Sequence, residues 1–382
     1  MPLGTRPHGI EDEHDSGNGG AASAARDFER RALDLLRALD RDEPRDAPVP
    51  LPLERATAID FHVHVVDPTR NVVSLARLAH RGMNRLLRAL PLGAPARAHD
   101  AIGRLADEAS TIGARAGFAL YPVYRRLPPP ARAVVEVASA PGLLAHAAAR
   151  GFRDLLLADM AHANVSHAVV IGADPLCPAD YVTELCAKDE RLFAVVTVPS
   201  ATPDVRAAVQ RARSRGAVGV KLHACMEDID PAGPYATALV DAAADEGMFV
   251  VIHTGHAHIG LYKRADGGDP RAFTPHFDRR TDATFVLAHM NMNEPEVALD
   301  VARRRPNVLV DTSWQESRDV LRAAAVLGAE RVLLASDYPF GGIARSRGAV
   351  DHASMPAAVR DLILRQNAIK LLRSRRRSPA AT

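Results

Sequence analysis

The sequence predicts an α/β chain folded as a (β/α)8 TIM barrel, on three observations. Eight short apolar or β-branched runs alternate with helix-patterned stretches from residue 58 onward, the order that favours parallel pairing. The runs are apolar at nearly every position, as strands buried on both faces are. Ionisable side chains recur late in those runs, separated by one or two barrel units of roughly 30 residues.

Residues 1–57 precede the barrel. Residues 1–22 are rich in glycine and acidic side chains and read as a disordered tail. They lack the basic start and apolar run of a signal peptide. Phe28, Leu33, Leu35, Leu36 and Leu39 recur at helical spacing, and 44-PRDAPVPLPLE-54 reads as a linker. The barrel is expected over 58–372, with strands at 58-AIDFHVH-64, 167-HAVVIGA-173, 192-LFAVVTV-198, 218-VGVKLHA-224, 249-FVVIHTG-255, 284-TFVLAHM-290, 307-NVLVDTS-313 and 332-VLLASDY-338. Helices fill the gaps. The segment 204-DVRAAVQRARSRG-216 opens on an acidic residue and stops on glycine. Asn293 with Glu296 three residues on resembles a capping box. Only the first gap is long, about 100 residues where one barrel unit takes ~30. The excess, about 70–150, reads as a helical insertion over the barrel mouth, either a lid or binding element or a dimerisation or purely structural cap. The basic 373–382 reads as a solvated tail.

A formal charge of +2 gives no electrostatic case for nucleic acid, and no apolar stretch is long enough to span a bilayer. Three cysteines, Cys177, Cys186 and Cys225, form no CxxC pair. A reduced, cytoplasmic setting is the expectation.

Barrel sites form at the C-terminal ends of the strands. Polar groups fall there repeatedly: His62 and His64 on strand one, Lys221 and His223 on four, His253 on five, His289 on six, Asp337 on eight. Burying them unpaired would cost several kcal/mol each, and a bound cation removes most of that cost. Neutral imidazoles and a carboxylate suit zinc and other divalent first-row metals. His62 and His64, two residues apart on a strand, share a face and can reach one ion. The charged stretch 253-HTGHAHIGLYKRADGGDPRAFTPHFDRR-280 includes Arg279 and Arg280, candidates for an anionic substrate. Trp314, the only tryptophan, is a candidate pocket wall or a core residue.

The HxH of strand one, IHTG of strand five, the histidine after strand six and SDYP of strand eight together resemble the amidohydrolase superfamily. Within it the chain is similar to the amidohydrolase-related branch that holds aminocarboxymuconate-semialdehyde decarboxylase, over about 58–372. The resemblance implies that His62, His64, His253 and Asp337 bind the metal and that Asp337 doubles as a proton shuttle. It makes His289 an acid/base residue, or a second-metal ligand in two-metal relatives. Lys221 matches a position that carries a carboxylated, metal-bridging lysine in two-metal relatives; bare, it would hold a substrate carboxylate, or be a rim lysine without a role. One ion is favoured, zinc before manganese or iron, with two if Lys221 is carboxylated. The chain departs from relatives at Asn291 and Ala335, where glycine is common.

The expected function is hydrolysis of an ester, lactone or amide of a small organic molecule, with or without a carboxylate. The alternative is a metal-dependent non-oxidative decarboxylase, a lyase with the same shell; a barrel that binds metal or ligand without turnover is the third reading. The expected partner is a small-molecule substrate, with no nucleic acid and no membrane, and the resemblance allows a homodimer.

Overall fold

The computed structural model describes residues 50–67, 121, 123–174, 176–257, 263–264 and 266–376. The tail and helix expected before residue 50, the stretch 73–90 of the expected insertion, His258 and residues 377–382 lie outside the described residues.

Eight strands run in chain order around one parallel sheet. They are β1 Ile59–Val63, β2 His167–Ile171, β3 Leu192–Thr197, β4 Gly219–Leu222, β5 Phe249–His253, β6 Phe285–Ala288, β7 Val308–Asp311 and β8 Val332–Leu333. β8 is short because its chain turns off to close the barrel. Phe61 N donates to Leu334 O at 2.8 Å, Asp337 N to His62 O at 2.8 Å and His64 N to Tyr338 O at 2.6 Å. Asp60 ties the same seam: its buried Oδ1 accepts from His62 N at 3.1 Å and Ser336 N at 2.9 Å. That is the supporting role its position beneath the histidine pair suggests.

The apolar residues form two layers, as two-period strands inside a ring of helices require. Phe61, Ile171, Phe193, Val195, Phe249, Val251 and Leu333 belong to the inner layer, where Phe61 and Phe249 meet at 5.2 Å between centroids. Gly219 makes that packing feasible: a Cβ there would lie 2.5 Å from a Phe249 ring carbon. Val63, Val170, Val196, Val220 and Ile252 face the helices.

β1 is not a plain strand. Simple alternation from Ile59 and Phe61, both inner-layer residues, would turn His62 and His64 outward. A register shift between Asp60 and Val63 resets the phase, so Val63 joins the outer layer and the two imidazoles meet groups from β4, β7 and the end of β8. Such bulges re-aim side chains beside active sites.

Besides a single turn at Ala224–Glu227, the α-helices among the described residues are α1 Pro129–Arg150, α2 Arg153–His162, α3 Ala179–Ala187, α4 Val205–Ser214, α5 Pro234–Asp245, α6 Thr274–Arg279, α7 Pro295–Arg303, α8 Ser317–Leu327, α9 Ile343–Asp351, α10 Ala357–Asp361 and α11 Asn367–Arg376. The described end of the long β1–β2 connection is helical, as expected, through α1 and α2. Asp204 caps α4, accepting from Ala207 N at 2.9 Å. The capping box expected at Asn293 and Glu296 does not form. Pro295 opens α7 after Glu294, Asn293 donates instead to Tyr124 Oη at 3.1 Å, and Glu296 pairs with Arg322. The reciprocal box sits on α8, between Glu316 and Asp319. Among the described residues no helix is long and apolar enough to cross a membrane.

Candidate metal centre

Each group at the barrel mouth is aimed by a partner behind it. His62 Nδ1 lies 2.8 Å from Asp311 Oδ2, and His64 Nδ1 lies 2.8 Å from the carbonyl oxygen of Ile171. Both partners only accept, so each Nδ1 carries a proton, and a ring without a second proton turns a lone pair on Nε2 forward. The two Nε2 atoms face each other at 3.2 Å. Asp337 Oδ1 joins them at 3.5 Å from His62 and 3.2 Å from His64. Three electron-pair donors thus converge inside a buried mouth. Lys221 Nζ, 3.4 Å from His62 Nε2, is the cation that meets them.

β6 delivers its histidine through a distorted turn. His289, Met290, Asn291 and Met292 all hold positive φ, from 45° to 63°, a region non-glycine residues rarely adopt. Gln315 braces the turn, its Nε2 donating to His289 O at 2.7 Å and Met292 O at 3.0 Å. Thr254 Oγ1 accepts from Asn291 N at 2.9 Å. Strain of this kind clusters at functional sites. The non-glycine residue at 291 therefore does not prevent the turn. His289 Nδ1 lies 2.7 Å from Ser313 Oγ, whose own proton goes to Asp311 Oδ1 at 2.5 Å. That chain leaves His289 Nε2 as a lone pair, 3.1 Å from His253 Nδ1.

Asp311 is the hub that sequence reasoning missed. Oδ2 serves His62, while Oδ1 accepts from His289 N at 2.8 Å, Ser313 N at 3.1 Å and Ser313 Oγ. One buried carboxylate therefore orients two histidines, the outer-shell role usual for metal-binding imidazoles. Its signal was its place, a carboxylate closing strand seven at the height of the other polar groups.

The electrostatics follow from burial. Desolvation, reinforced by nearby Lys221, holds His62 well below the ordinary imidazole value. Burial lowers His289 and His253 as well, and pulls Lys221 down to about 8. Burial works to raise Asp337, yet His289, His64 and His62 outweigh it and hold the carboxyl far below the usual carboxylate range.

The donors fit a divalent ion. Ligand atoms of His62, His64 and Asp337 all lie within 4.8 Å of one another. Two imidazoles on one tetrahedral ion, each nitrogen ~2.1 Å from it, have ring centroids about 5 Å apart. His62 and His64 stand at 5.1 Å, His253 and His289 at 4.8 Å. His253 does not join the close triangle; it adjoins it through His289, and its ligand atoms group with His223 and Cys225. His223 stacks on His253 at 4.0 Å and 12°, too close and too parallel for both rings to bind one ion.

Arg279 and Arg280, candidates for an anionic substrate from the sequence, do not reach the mouth. They end α6, ahead of β6, at the opposite end of the barrel. Arg279 pairs with Asp241, and Arg280 with Asp241, Asp245 and Asp282. The charge that closes that stretch belongs to these pairs and not to the mouth. Trp314 does reach the site: its Nε1 donates to Asp337 Oδ2 at 2.8 Å. A cleft of about 280 Å³ opens between α1 and the loops after β5 and β6, with Arg132, His256, Arg271, Asn291 and Asn293 in its wall.

Comparison with known proteins agrees with this architecture. The sequence model of the amidohydrolase family matches residues 144–374, beginning after the β1 histidine pair. No curated protein matches the chain. Among solved structures, an uncharacterized TIM-barrel protein from Bordetella bronchiseptica is 20% identical, covers 64% of this chain and 92% of its own, and gives a TM-score of 0.54. The 5-carboxyvanillate decarboxylase of Novosphingobium aromaticivorans, solved with manganese and 4-hydroxy-3-methoxy-5-nitrobenzoic acid, is 15% identical over 85% of this chain and 99% of its own, with a TM-score of 0.54. At these identities the likeness is one of fold. The family match spans most of the barrel, from within α1 into α11, and on that ground the chain belongs to the amidohydrolase family.

Proposed function

We propose that the chain is a metal-dependent lyase that releases carbon dioxide from a small carboxylic acid without an oxidant. One observation carries this reading over hydrolysis. Asp337 has both oxygens engaged, Oδ1 toward the β1 imidazoles and Oδ2 on Trp314 Nε1, which leaves it poorly suited to shuttle a proton. His289 turns a lone pair on Nε2 to the mouth beside His253 Nδ1, with Nδ1 backed by Ser313, and an imidazole so placed can take up a proton and pass it on.

His62, His64 and Asp337 would hold the ion, with His253 the adjoining donor from β5. A bound divalent cation supplies a Lewis acid that polarises a substrate oxygen; the mixed nitrogen and oxygen donors suit zinc or manganese, one ion per chain. Lys221 offers a buried ammonium to the substrate's carboxylate. In the reaction R–COO⁻ and H⁺ give R–H and CO2. The carbon–carbon bond breaks, its electron pair stays on the substrate carbon, and His289, having first taken a proton from water on Nε2, passes it to that carbon. The decarboxylase with the same fold supports this reading.

The sequence alone put hydrolysis of an ester, lactone or amide first, and the description of the matching family favours that second reading. The two are separated by one screen. Zinc- or manganese-loaded protein is offered aromatic and small unsaturated acids with CO2 detection, and lactones, esters and amides with acid release. CO2 release that is lost in His289→Asn supports the lyase; acid release without CO2 rejects it.

A further inference from the structure

The only tryptophan of the chain touches the carboxylate assigned to the metal. Trp314 Nε1 donates to Asp337 Oδ2 at 2.8 Å, while Oδ1 faces His64 at 3.2 Å and His62 at 3.5 Å. Trp314 and Asp337 both hold left-handed backbone, φ 64° and 63°, so the contact joins two residues kept in a sparsely populated conformation. What holds Trp314 comes from elsewhere in the chain. Tyr121, nearly fully buried, packs on the indole at 5.5 Å between centroids. Tyr124 stacks on Tyr121 at 5.6 Å, and the Arg345 guanidinium lies over the Tyr121 ring at 4.8 Å. Arg125 anchors the same segment to α8 through Asp319. Residues 121–125 lie in the long β1–β2 connection, so an unbroken line of contacts runs from that connection through the indole to Asp337.

We propose that Trp314 is a positioning residue for Asp337, and that the Tyr121 segment sets it. The indole N–H occupies Oδ2 and thereby presents Oδ1 to the imidazoles. The role rests on the reading that Asp337 binds the ion. An indole so held also reports on loading, because a cation arriving at Oδ1 changes the field at the hydrogen-bonded Oδ2.

The test uses full-length protein freed of metal with a chelator and titrated with zinc. Affinity is read by competition with a chromophoric chelator, and the ligand field by the visible spectrum of the cobalt(II)-loaded protein. Trp314→Phe keeps a ring against Tyr121 and loses the N–H. It is expected to bind zinc roughly 10- to 100-fold more weakly and to shift the cobalt bands. Tyr121→Leu is expected to lose a few-fold in affinity, which Tyr121→Phe restores. In wild-type protein the tryptophan emission is expected to change and saturate with the zinc; His62→Ala should show no change. Wild-type affinity and an unchanged cobalt spectrum in Trp314→Phe overturn the positioning role and leave the metal reading standing. Absence of zinc binding by the wild type overturns the metal reading itself. Should Trp314→Phe fail to fold, the wild-type titration decides: zinc binding with constant emission overturns the proposal.

Discussion

Asp311→Asn isolates what one buried carboxylate does for the candidate centre. Asp311 accepts on Oδ1 from three donors, His289 N, Ser313 N and Ser313 Oγ, and on Oδ2 from His62 Nδ1. An asparagine has one acceptor oxygen and one amide NH2. Three donors against one fix its orientation, with the oxygen toward His289 and Ser313 and the NH2 toward His62. The amide then donates to Nδ1, and His62 must move its proton to Nε2, the atom that faces His64 and Asp337. To bind an ion the ring must return to the other tautomer and oppose an N–H to an N–H. The forfeited bond is charge-assisted, worth about 1.5–3 kcal/mol. At 1.4 kcal/mol per tenfold, zinc affinity should fall roughly 10- to 100-fold. Global stability should fall by less, because the Oδ1 contacts survive. Chelator competition measures the first and urea unfolding of the apoprotein the second. An Asp311→Asn protein with zinc affinity within about twofold of wild type would refute the tautomer argument.

Three further expectations follow from particular contacts. Lys221→Met should leave the metal content per chain unchanged and raise KM for a carboxylate substrate, since the Lys221 ammonium stands 3.4 Å from His62 Nε2 at the mouth; loss of one of two metals would identify a bridging carbamate instead. Gln315→Ala removes two buried hydrogen bonds from the His289–Met292 turn, which should cost roughly 2 kcal/mol and depress kcat more than KM, read by urea unfolding and steady-state kinetics. Asp189 is buried against Arg191 and Arg153; burial alone would raise its carboxyl, but the two guanidinium groups hold it below the ordinary value. The folded value being depressed, its contribution is present above about pH 4 and is lost as pH falls. Asp189→Asn should therefore destabilise by about 3 kcal/mol at pH 7, and the gap to wild type should close on acidification; a gap constant from pH 7 to 3 would contradict the assignment.

The barrel was legible because buried parallel strands write themselves as apolar runs at regular intervals, and because a strand's end is where polar residues must be accommodated. The placement of His62, His64 and Asp337 at the mouth could be read for that reason. What lay beyond the sequence depends on local departures from regular geometry. The register shift in β1 looks like uninterrupted alternation in the letters IDFHV. The left-handed run His289–Met292 contains no glycine to announce it. Asp311 and Ser313 read as the end of a strand, since nothing local says that one carboxylate serves histidines 22 and 249 positions away. Arg279 and Arg280 misled in the other direction: charge density in a long βα connection suggested the mouth, whereas the connection had already carried the chain to the far end of the barrel. His253 fell between these cases, reaching the mouth but meeting the triangle only through His289.

Metal content of the purified full-length protein, measured by elemental analysis after loading with zinc or manganese and removal of free ion, tests the central claim most directly. The convergence of His62 Nε2, His64 Nε2 and Asp337 Oδ1 predicts about one divalent ion per chain, falling to trace in His62→Ala and in His64→Ala while both variants stay folded. Trace metal in the wild type, or an unchanged content in either variant, would contradict it.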